Sequence, residues 1–484
     1  MNFLEICEFG DMEEAMKMIE EGTNTRDVDS EGNTALHLST DQFNREISTY
    51  LLENNLVDID TANSCGNSAL HLACLNQDEE AVELLLRFNT NVNAQNLERI
   101  TPLHMAAATG NVNIVASLIE AGADISISVD SSGCTALHDA CNNGSAEVAR
   151  ILIEHGADLD AKNEYDNTPL HRCCSNGHTE AAMLLIDRGA KVDAQGVNAR
   201  YPLHYAAANG HVEIMKCLLD KGADLNVFDS RNFAPLHRAC NDGHEAAAEF
   251  LIDQGVDLNA ISQEGSTVLH IACRSSLVNI VKILLNRNVD VNAKDKWGKT
   301  PLHVACDNHK MEIVVNLVEN GADIHAKDAR QSTPLHVACS CGDMEVATFL
   351  VREGADIYAS NEYRELPTVN EEIKTLFHQL WYPTPLTQAV HKGNLEEFVT
   401  LIDSEDCNVN EDIGSGWTVL HVAACLNRVE FVEKLLSSHL LMKDASSSAT
   451  LQSALRLACS RGNLGVVKLL GHALIQEAAS ASII

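Results

Sequence analysis

Apolar positions along the chain recur in a fixed pattern. The stretch Thr300 to Cys306, TPLHVAC, places Leu, Val, Ala and Cys around one histidine. A second apolar set follows at helical spacing (Ile313, Val314, Leu317 and Val318) and gives way to Gly321. Apolar residues at such intervals predict two short helices, each with one face against a core. The histidine recurs as His37, His71, His104, His138, His171, His204, His237, His270, His303 and His336, always 33 or 34 residues from the last. A period this strict implies small units that bury their apolar faces against one another.

Within a period the element boundaries follow from local chemistry. Thr before Pro predicts the start of the first helix, because a hydroxyl can cap the first amides and Pro gives up an amide with no intrahelical acceptor. A glycine six after the histidine (Gly110, Gly144, Gly177, Gly210, Gly243, Gly342) suits the C-terminal turn of that helix. After the second helix a segment such as Ala322-Asp323-Ile324 leads into two short arms joined by a turn. Residues 1–25 fit the same frame with Cys7 in the cysteine position, and Glu5, Glu8, Glu13 and Glu14 make this first unit a polar cap.

The period divides the chain into a main array over 1–358, a joint at 359–383 and a second, short array over 384–484. In the joint, Val369 replaces the histidine, and Val369, Ile373, Leu376, Phe377 and Leu380 share one helical face, so a truncated one-helix repeat is expected. The short array has Thr387, His421 and Arg456 in the histidine position. Residues 437–453 read as an extended loop.

Composition narrows the partners. With 34 Lys and Arg against 69 Asp and Glu, the net charge of −35 repels duplex nucleic acid and anionic membrane surfaces alike. No run of about 18 apolar residues is present to span a bilayer. The acidic N-terminal stretch lacks the features of an export signal, so a cytoplasmic, or alternatively nuclear, location is expected. Of 16 cysteines, nine (Cys7, Cys74, Cys141, Cys174, Cys240, Cys273, Cys306, Cys339, Cys459) stand three after the histidine position, where free thiols in a small core site are expected.

The period, with TPLH intact at Thr101 to His104, Thr168 to His171, Thr300 to His303 and Thr333 to His336, resembles the ankyrin repeat. The resemblance covers nearly the whole chain, about thirteen to fourteen repeats at that spacing. It implies an all-α repeat solenoid of helix–turn–helix units with projecting β-hairpin fingers, and a function in binding other proteins.

His and Cys at i and i+3 (His71/Cys74, His138/Cys141, His171/Cys174, His237/Cys240, His303/Cys306) could hold a metal, but four convergent ligands and paired CxxC knuckles are lacking. The histidines are expected to bridge Thr side chains and neighbouring backbone through both ring nitrogens. No phosphate loop, GxSxG elbow or HExxH helix is visible, so neither catalysis nor a cofactor is expected.

Departures from the repeat point to recognition, since core positions are held by packing whereas finger positions vary. The turn glycine five before the histidine becomes Asp166, Ala199 and Asn232 in consecutive units, flanked by Tyr165, Arg200, Tyr201, Arg231 and Phe233. One position after the histidine the same region has Asp139, Arg172, Tyr205 and Arg238. In ankyrin-like geometry these would border a concave groove, and Tyr, Trp and Arg dominate binding energy at interfaces. Lys294, Lys296, Trp297, Lys299, Lys327 and Arg330 extend a basic, aromatic stripe. The expected ligand is an acidic or aromatic segment of a partner protein, bound by a monomeric scaffold or adaptor.

Asn93, Asn226, Asn259 and Asn292 stand in segments that resemble substrates of the asparaginyl β-hydroxylase of the hypoxia pathway, which implies hydroxylation there. Two other roles fit a repeat array. In a substrate receptor of a ubiquitin ligase, a C-terminal box with Leu-Cys and a Leu-Pro-Leu-Pro-like turn is needed, and neither follows Leu470. The chain could also be the repeat portion of a larger enzyme or channel.

Overall fold

The computed structural model describes residues 2–39, 44–129, 132–357, 359–363, 365, 367, 384–404, 407–413, 417–438, 447–460 and 463–481. These fall into two compact units, Met1–Ile271 and Ala272–Ile484. The five apolar residues that suggested a one-helix joint, Val369 to Leu380, lie outside the described residues.

Each unit is a stack of antiparallel helix pairs. In the repeat 300–332 the inner helix Pro301–Asp307 starts on Thr300 and buries Leu302, Ala305 and Cys306. The outer helix Met311–Glu319 buries Ile313, Val314 and Leu317, and Val318 stays half-buried at its edge. Other repeats copy this, with outer helices of nine residues at Val112–Glu120, Ala146–Glu154, Val212–Asp220 and Glu245–Asp253. The cysteine position is core as expected at Cys7, Cys74, Cys141, Cys174, Cys240, Cys273, Cys306 and Cys339, and all sixteen thiols are free.

Three kinds of hydrogen bond join one repeat to the next. The slot histidine provides the first. The backbone amide before the inner helix donates to its Nδ1, as from Thr34 to His37 at 3.1 Å, Thr168 to His171 at 3.0 Å and Thr300 to His303 at 3.1 Å. An amide can only donate, so the ring proton sits on Nε2. Nε2 then donates to a carbonyl of the following repeat: Asn67 at 2.9 Å, Ile100 at 3.0 Å, Asn167 at 3.0 Å and Ser332 at 3.0 Å, from His37, His71, His138 and His303. In these repeats both nitrogens bridge as the sequence suggested, whereas Nε2 of His104 and of His237 is buried without such a bond.

The second bond comes from an Asp or Asn eleven before the histidine, whose Oδ1 accepts an amide 31 residues on: Asp60 from Asn91, Asn93 from Asp124, Asp160 from Lys191, Asn226 from Asp257 and Asn292 from Asp323, at 2.7 to 2.9 Å. The third links fingertips. Glu31, Cys65, Ser132, Asn198 and Arg231 in the first unit, and Trp297 and Arg330 in the second, offer their carbonyls to an amide of the next finger at 2.8 to 3.2 Å. At about 1 kcal/mol net for each, these bonds reinforce the stack wherever they form.

The fingers are less β-like than expected. Among the described residues only the isolated bridges Val28 to Thr34, Ser128 to Thr135 and Ile261 to Thr267 pair their arms in that manner. The turns are instead closed by an Asp, Asn or Ser eight before the histidine. Asp229 Oδ1 accepts the amides of Arg231 and Phe233, Asp295 Oδ1 those of Trp297 and Lys299, and Asp328 Oδ1 those of Arg330 and Ser332, at 2.8 to 3.0 Å. A side chain that satisfies two local amides competes with a ladder of strand bonds and wins in arms this short.

The last repeat corrects two expectations. Residues 447–453, assigned to a loop, belong to the helix Ser447–Ser460, which is rich in Ala and Leu and has no proline to set a later start. Arg456 and Cys459 are exposed there, because the following helix Leu464–Ala481 covers Leu451, Ala454 and Ala458 instead.

Candidate protein-interaction surface

In the first unit the inner helices Ala136–Asn143, Pro169–Asn176, Pro202–Ala208 and Pro235–Asn241 carry Asp139, Arg172, Tyr205 and Arg238 at equivalent positions. The fingers before them carry Tyr165, Arg200, Tyr201, Arg231 and Phe233. The structure sorts these residues into two groups.

Arg238, expected to face a partner, is 7% exposed. Its Nε donates to Asp229 Oδ2 at 2.9 Å and its Nη2 bonds the same oxygen. The guanidinium also lies 4.7 Å from the centre of the Phe233 ring. Arg200 approaches the same carboxylate oxygen at 3.8 Å and sits 5.8 Å from the Tyr205 ring. Asp229 thus serves two purposes, closing its finger through Oδ1 and gathering arginines through Oδ2. Burial opposes its ionisation, but the Arg238 contact and the amide bonds prevail and hold its carboxyl below the usual range.

Tyr201 and Phe233 have a packing role. The Thr that caps most inner helices is replaced by Tyr201 and Ala234 in these two repeats, so the hydroxyl contact to Nδ1 is lost. Instead the Tyr201 ring stacks on His204 at 5.8 Å, and the Phe233 ring on His237 at 5.6 Å. Tyr205 packs edge-on against His171 and donates to Asn167 Oδ1 at 3.2 Å. Asn167 Oδ1 also accepts the Val197 amide at 3.2 Å, beside Gly196 where other fingers have Asp, Asn or Ser. A Cβ there would lie 2.1 Å from that oxygen.

Asp139 is half-buried; desolvation pushes its carboxyl up to about 7, against the pull of Arg172. Tyr165, 53% exposed, and Arg231 stand in solvent at two fingertips.

The second unit offers a different surface. A groove of about 520 Å³ lies beside the fingers 295–299 and 328–332, lined by Arg274, Trp297, Lys299, Asp307, Asn308 and Arg330 among others. Lys299 Nζ bonds Asp307 Oδ2 at 3.3 Å. The Lys296 ammonium lies 4.3 Å from the centre of the Trp297 ring. Two lining or flanking residues escaped sequence reasoning. Arg274 lies on an inner helix outside the finger pattern. Tyr363 is 61% exposed and stands six before the Val369 slot, the position of Trp297 and Arg330 in their own repeats. That register was the available signal.

The four asparagines are placed on turns, Asn226 and Asn259 exposed and Asn93 and Asn292 half-buried, and three are engaged between repeats. Asn93 Nδ2 donates to the Gly122 carbonyl at 3.3 Å and Asn292 Nδ2 to that of Gly321 at 3.1 Å, while Asn226 accepts the Asp257 amide. Asn259 donates its own amide to Asp257 Oδ1 at 2.9 Å. Among the described residues no cluster of three or more His, Cys, Asp or Glu could hold a metal, and no helix is long and apolar enough to cross a membrane.

A family model of ankyrin repeats matches residues 3–96, 73–163, 159–229, 203–295, 279–361, 368–441 and 386–477. The chain belongs to the ankyrin-repeat family. Relatives include palmitoyltransferase AKR1 of Lachancea kluyveri, 34% identical over 123 residues, which is 25% of this chain and 17% of that enzyme. The Saccharomyces cerevisiae AKR1 is 32% identical over 108 residues, covering 22% and 14% of the two chains. A putative ankyrin repeat protein of fowlpox virus, FPV031, is 32% identical over 95 residues, covering 19% and 28%. The chain therefore spans less than a third of the length of these relatives. The human ASB11 ankyrin repeat domain is similar at 27% identity and a TM-score of 0.41, over 44% of this chain and 96% of that domain. Ankyrin repeats generally bind protein partners, and the all-helical repeat architecture agrees with that role.

Proposed function

We propose that the chain is a non-catalytic protein-interaction scaffold that captures a segment of a partner on the fingertips and inner-helix ends of residues 139–238. The supporting observation is a set of partly exposed aromatic and cationic groups held in place before any ligand arrives. Asp229, Asn167 and the slot histidines fix Arg200, Tyr205, Tyr201 and Phe233, and Tyr165 and Arg231 project beside them. Preorganised side chains lose little entropy on binding, which favours an acidic or aromatic segment here. The scaffold works as a monomer in the cytoplasm, with the 359–383 joint separating two arrays.

The test is affinity capture with the intact chain and a Tyr165→Ala/Arg231→Ala variant, which leaves Arg238 and Phe233 in place. Partners lost by the variant, with an unchanged helical melt, support the surface; full retention puts binding elsewhere. Hydroxylation of Asn93, Asn226, Asn259 and Asn292 is checked by a one-oxygen mass increment in the peptides that contain them.

A second role, as the repeat portion of a larger enzyme, draws support from the partial match to the palmitoyltransferases AKR1. It predicts an acyltransferase domain in the same transcript, and a full-length transcript without one would refute it.

A further inference from the structure

The chain as a whole is strongly acidic, but residues 272–330 are not. That segment holds nine basic residues (Arg274, Lys282, Arg287, Lys294, Lys296, Lys299, Lys310, Lys327, Arg330) against seven acidic ones (Asp290, Asp295, Asp307, Glu312, Glu319, Asp323, Asp328), a balance of +2 in a chain of −35. At the groove three cations (Arg274, Lys299, Arg330) stand with three carboxylates (Asp295, Asp307, Asp328), but the carboxylates are engaged within the protein. Asp295 and Asp328 are buried and use Oδ1 to close their own fingers. Asp307 is taken up by Lys299. Arg274 and Arg330 are exposed, and among the described residues neither has an ion-pair partner.

The apolar component lies on the same wall. Trp297 is 44% exposed and adjoins Arg330 through the bond from the Ala329 amide to the Trp297 carbonyl at 2.8 Å. The next step, from the Glu362 amide to the Arg330 carbonyl at 2.9 Å, brings in Tyr363. Trp, Arg and Tyr thus occupy three consecutive fingertips tied together by backbone bonds. An indole beside two guanidiniums suits a peptide in which carboxylates flank an aromatic or apolar residue: the guanidiniums bond the carboxylates bidentately, and the indole covers the ring between them.

We infer that the groove bounded by Arg274, Trp297 and Arg330 is a second docking site, for a short acidic segment of a partner protein with an aromatic or apolar residue between its carboxylates. The inference rests on the scaffold function proposed above and adds a separate site with its own ligand chemistry. The volume of about 520 Å³ admits a few side chains, not a folded domain. The charge of the chain works in favour of selectivity, since a net charge of −35 disfavours an acidic partner away from cationic patches such as this groove.

The experiment is selection from a random dodecapeptide display library on the full chain, run in parallel on Arg274→Ser/Arg330→Ser, Trp297→Ala and Tyr165→Ala/Arg231→Ala. Far-UV circular dichroism melts confirm that each variant is folded. The expected result is enrichment of peptides with Asp or Glu on both sides of an aromatic or apolar residue. A synthesised winner should bind at least about tenfold more weakly to the double arginine variant and to Trp297→Ala, weaken from 50 to 500 mM NaCl on the order of tenfold, and bind Tyr165→Ala/Arg231→Ala unchanged. Enriched peptides without acidic residues, or winners indifferent to the arginine variant, overturn the assignment. Winners lost only in Tyr165→Ala/Arg231→Ala would overturn this site and leave the scaffold function standing, whereas no enrichment on any form would count against both. A dimer seen by light scattering and dissolved by Arg274→Ser/Arg330→Ser would give the groove to a second copy of the chain.

Discussion

The finger and inner helix around Asp229 and those around Asp295 occupy the same place in their repeats, yet one has its arginine folded inward and the other leaves its cations outside. In both, the Asp eight before the histidine closes the turn with Oδ1. The difference lies one position after the histidine. Arg238 reaches back to Asp229 Oδ2, whereas Val304, 5% exposed, contributes only to the core. Lys299 stands where Phe233 does and turns to Asp307, and Arg231 is matched by Trp297. The residue at that helix position therefore decides whether the finger's carboxylate also binds an arginine of its own inner helix.

Acidification should act most strongly and should separate the two units. Burial holds His104, His138, His171, His204 and His237 of the first unit at about 4, and in the second unit it holds His421 at about 4. These folded-state values lie below the ordinary value of about 6.5, so the unfolded chain binds more protons between the two. Their contribution is full above about 6.5 and is lost as pH falls through the window towards 4. At pH 5 each such histidine costs on the order of 1–2 kcal/mol. Hydrogen exchange at pH 7 and pH 5 should show protection lost first within 1–271; equal loss in both units would break the comparison.

Next in size is Arg238→Ala. Removing the guanidinium leaves buried Asp229 Oδ2 with only Arg200 nearby, at 3.8 Å, and should lower stability by about 3 kcal/mol in urea denaturation. Val304→Ala, which only trims a buried side chain, should cost about 1–2 kcal/mol. Values in the reverse order would show that the Asp229 pair contributes little.

Glycine at the end of the inner helix gives a smaller contrast. Gly144 has φ +90°, and a Cβ there would meet the His178 ring of the next repeat at 2.4 Å, so Gly144→Ala combines backbone strain with a clash and should cost about 2–3 kcal/mol. Gly342 has φ +74° and nothing within 4 Å, and Gly342→Ala should cost about 1 kcal/mol, as read from thermal melts. The smallest effect belongs to Lys299→Ala. Its pair with Asp307 is exposed, and its loss should change stability by less than about 0.5 kcal/mol at 150 mM salt.

The sequence alone determined the period, the start of each inner helix, the cysteine core and the double bridge of the histidines. The helix start, the cysteine position and the Nδ1 half of the bridge depend on neighbours within a few residues, and the Nε2 half follows from the period, which sets the same carbonyl beside each histidine about 30 residues on. It also located the two regions where the repeat departs from itself. It did not reveal that Tyr201 and Phe233 stack on histidines that had lost their threonine, because a missing cap and an added ring are a compensation between positions, not a periodic signal. Nor did it find Arg274, which sits on an inner helix and meets Trp297 and Arg330 only when successive repeats are stacked. Whether an arginine turns to the protein was decided by the tertiary structure: Arg238 turns inward because a buried carboxylate nine residues earlier comes within reach once the finger folds over the helix, whereas Arg330 stays exposed at its fingertip and has no ion-pair partner among the described residues.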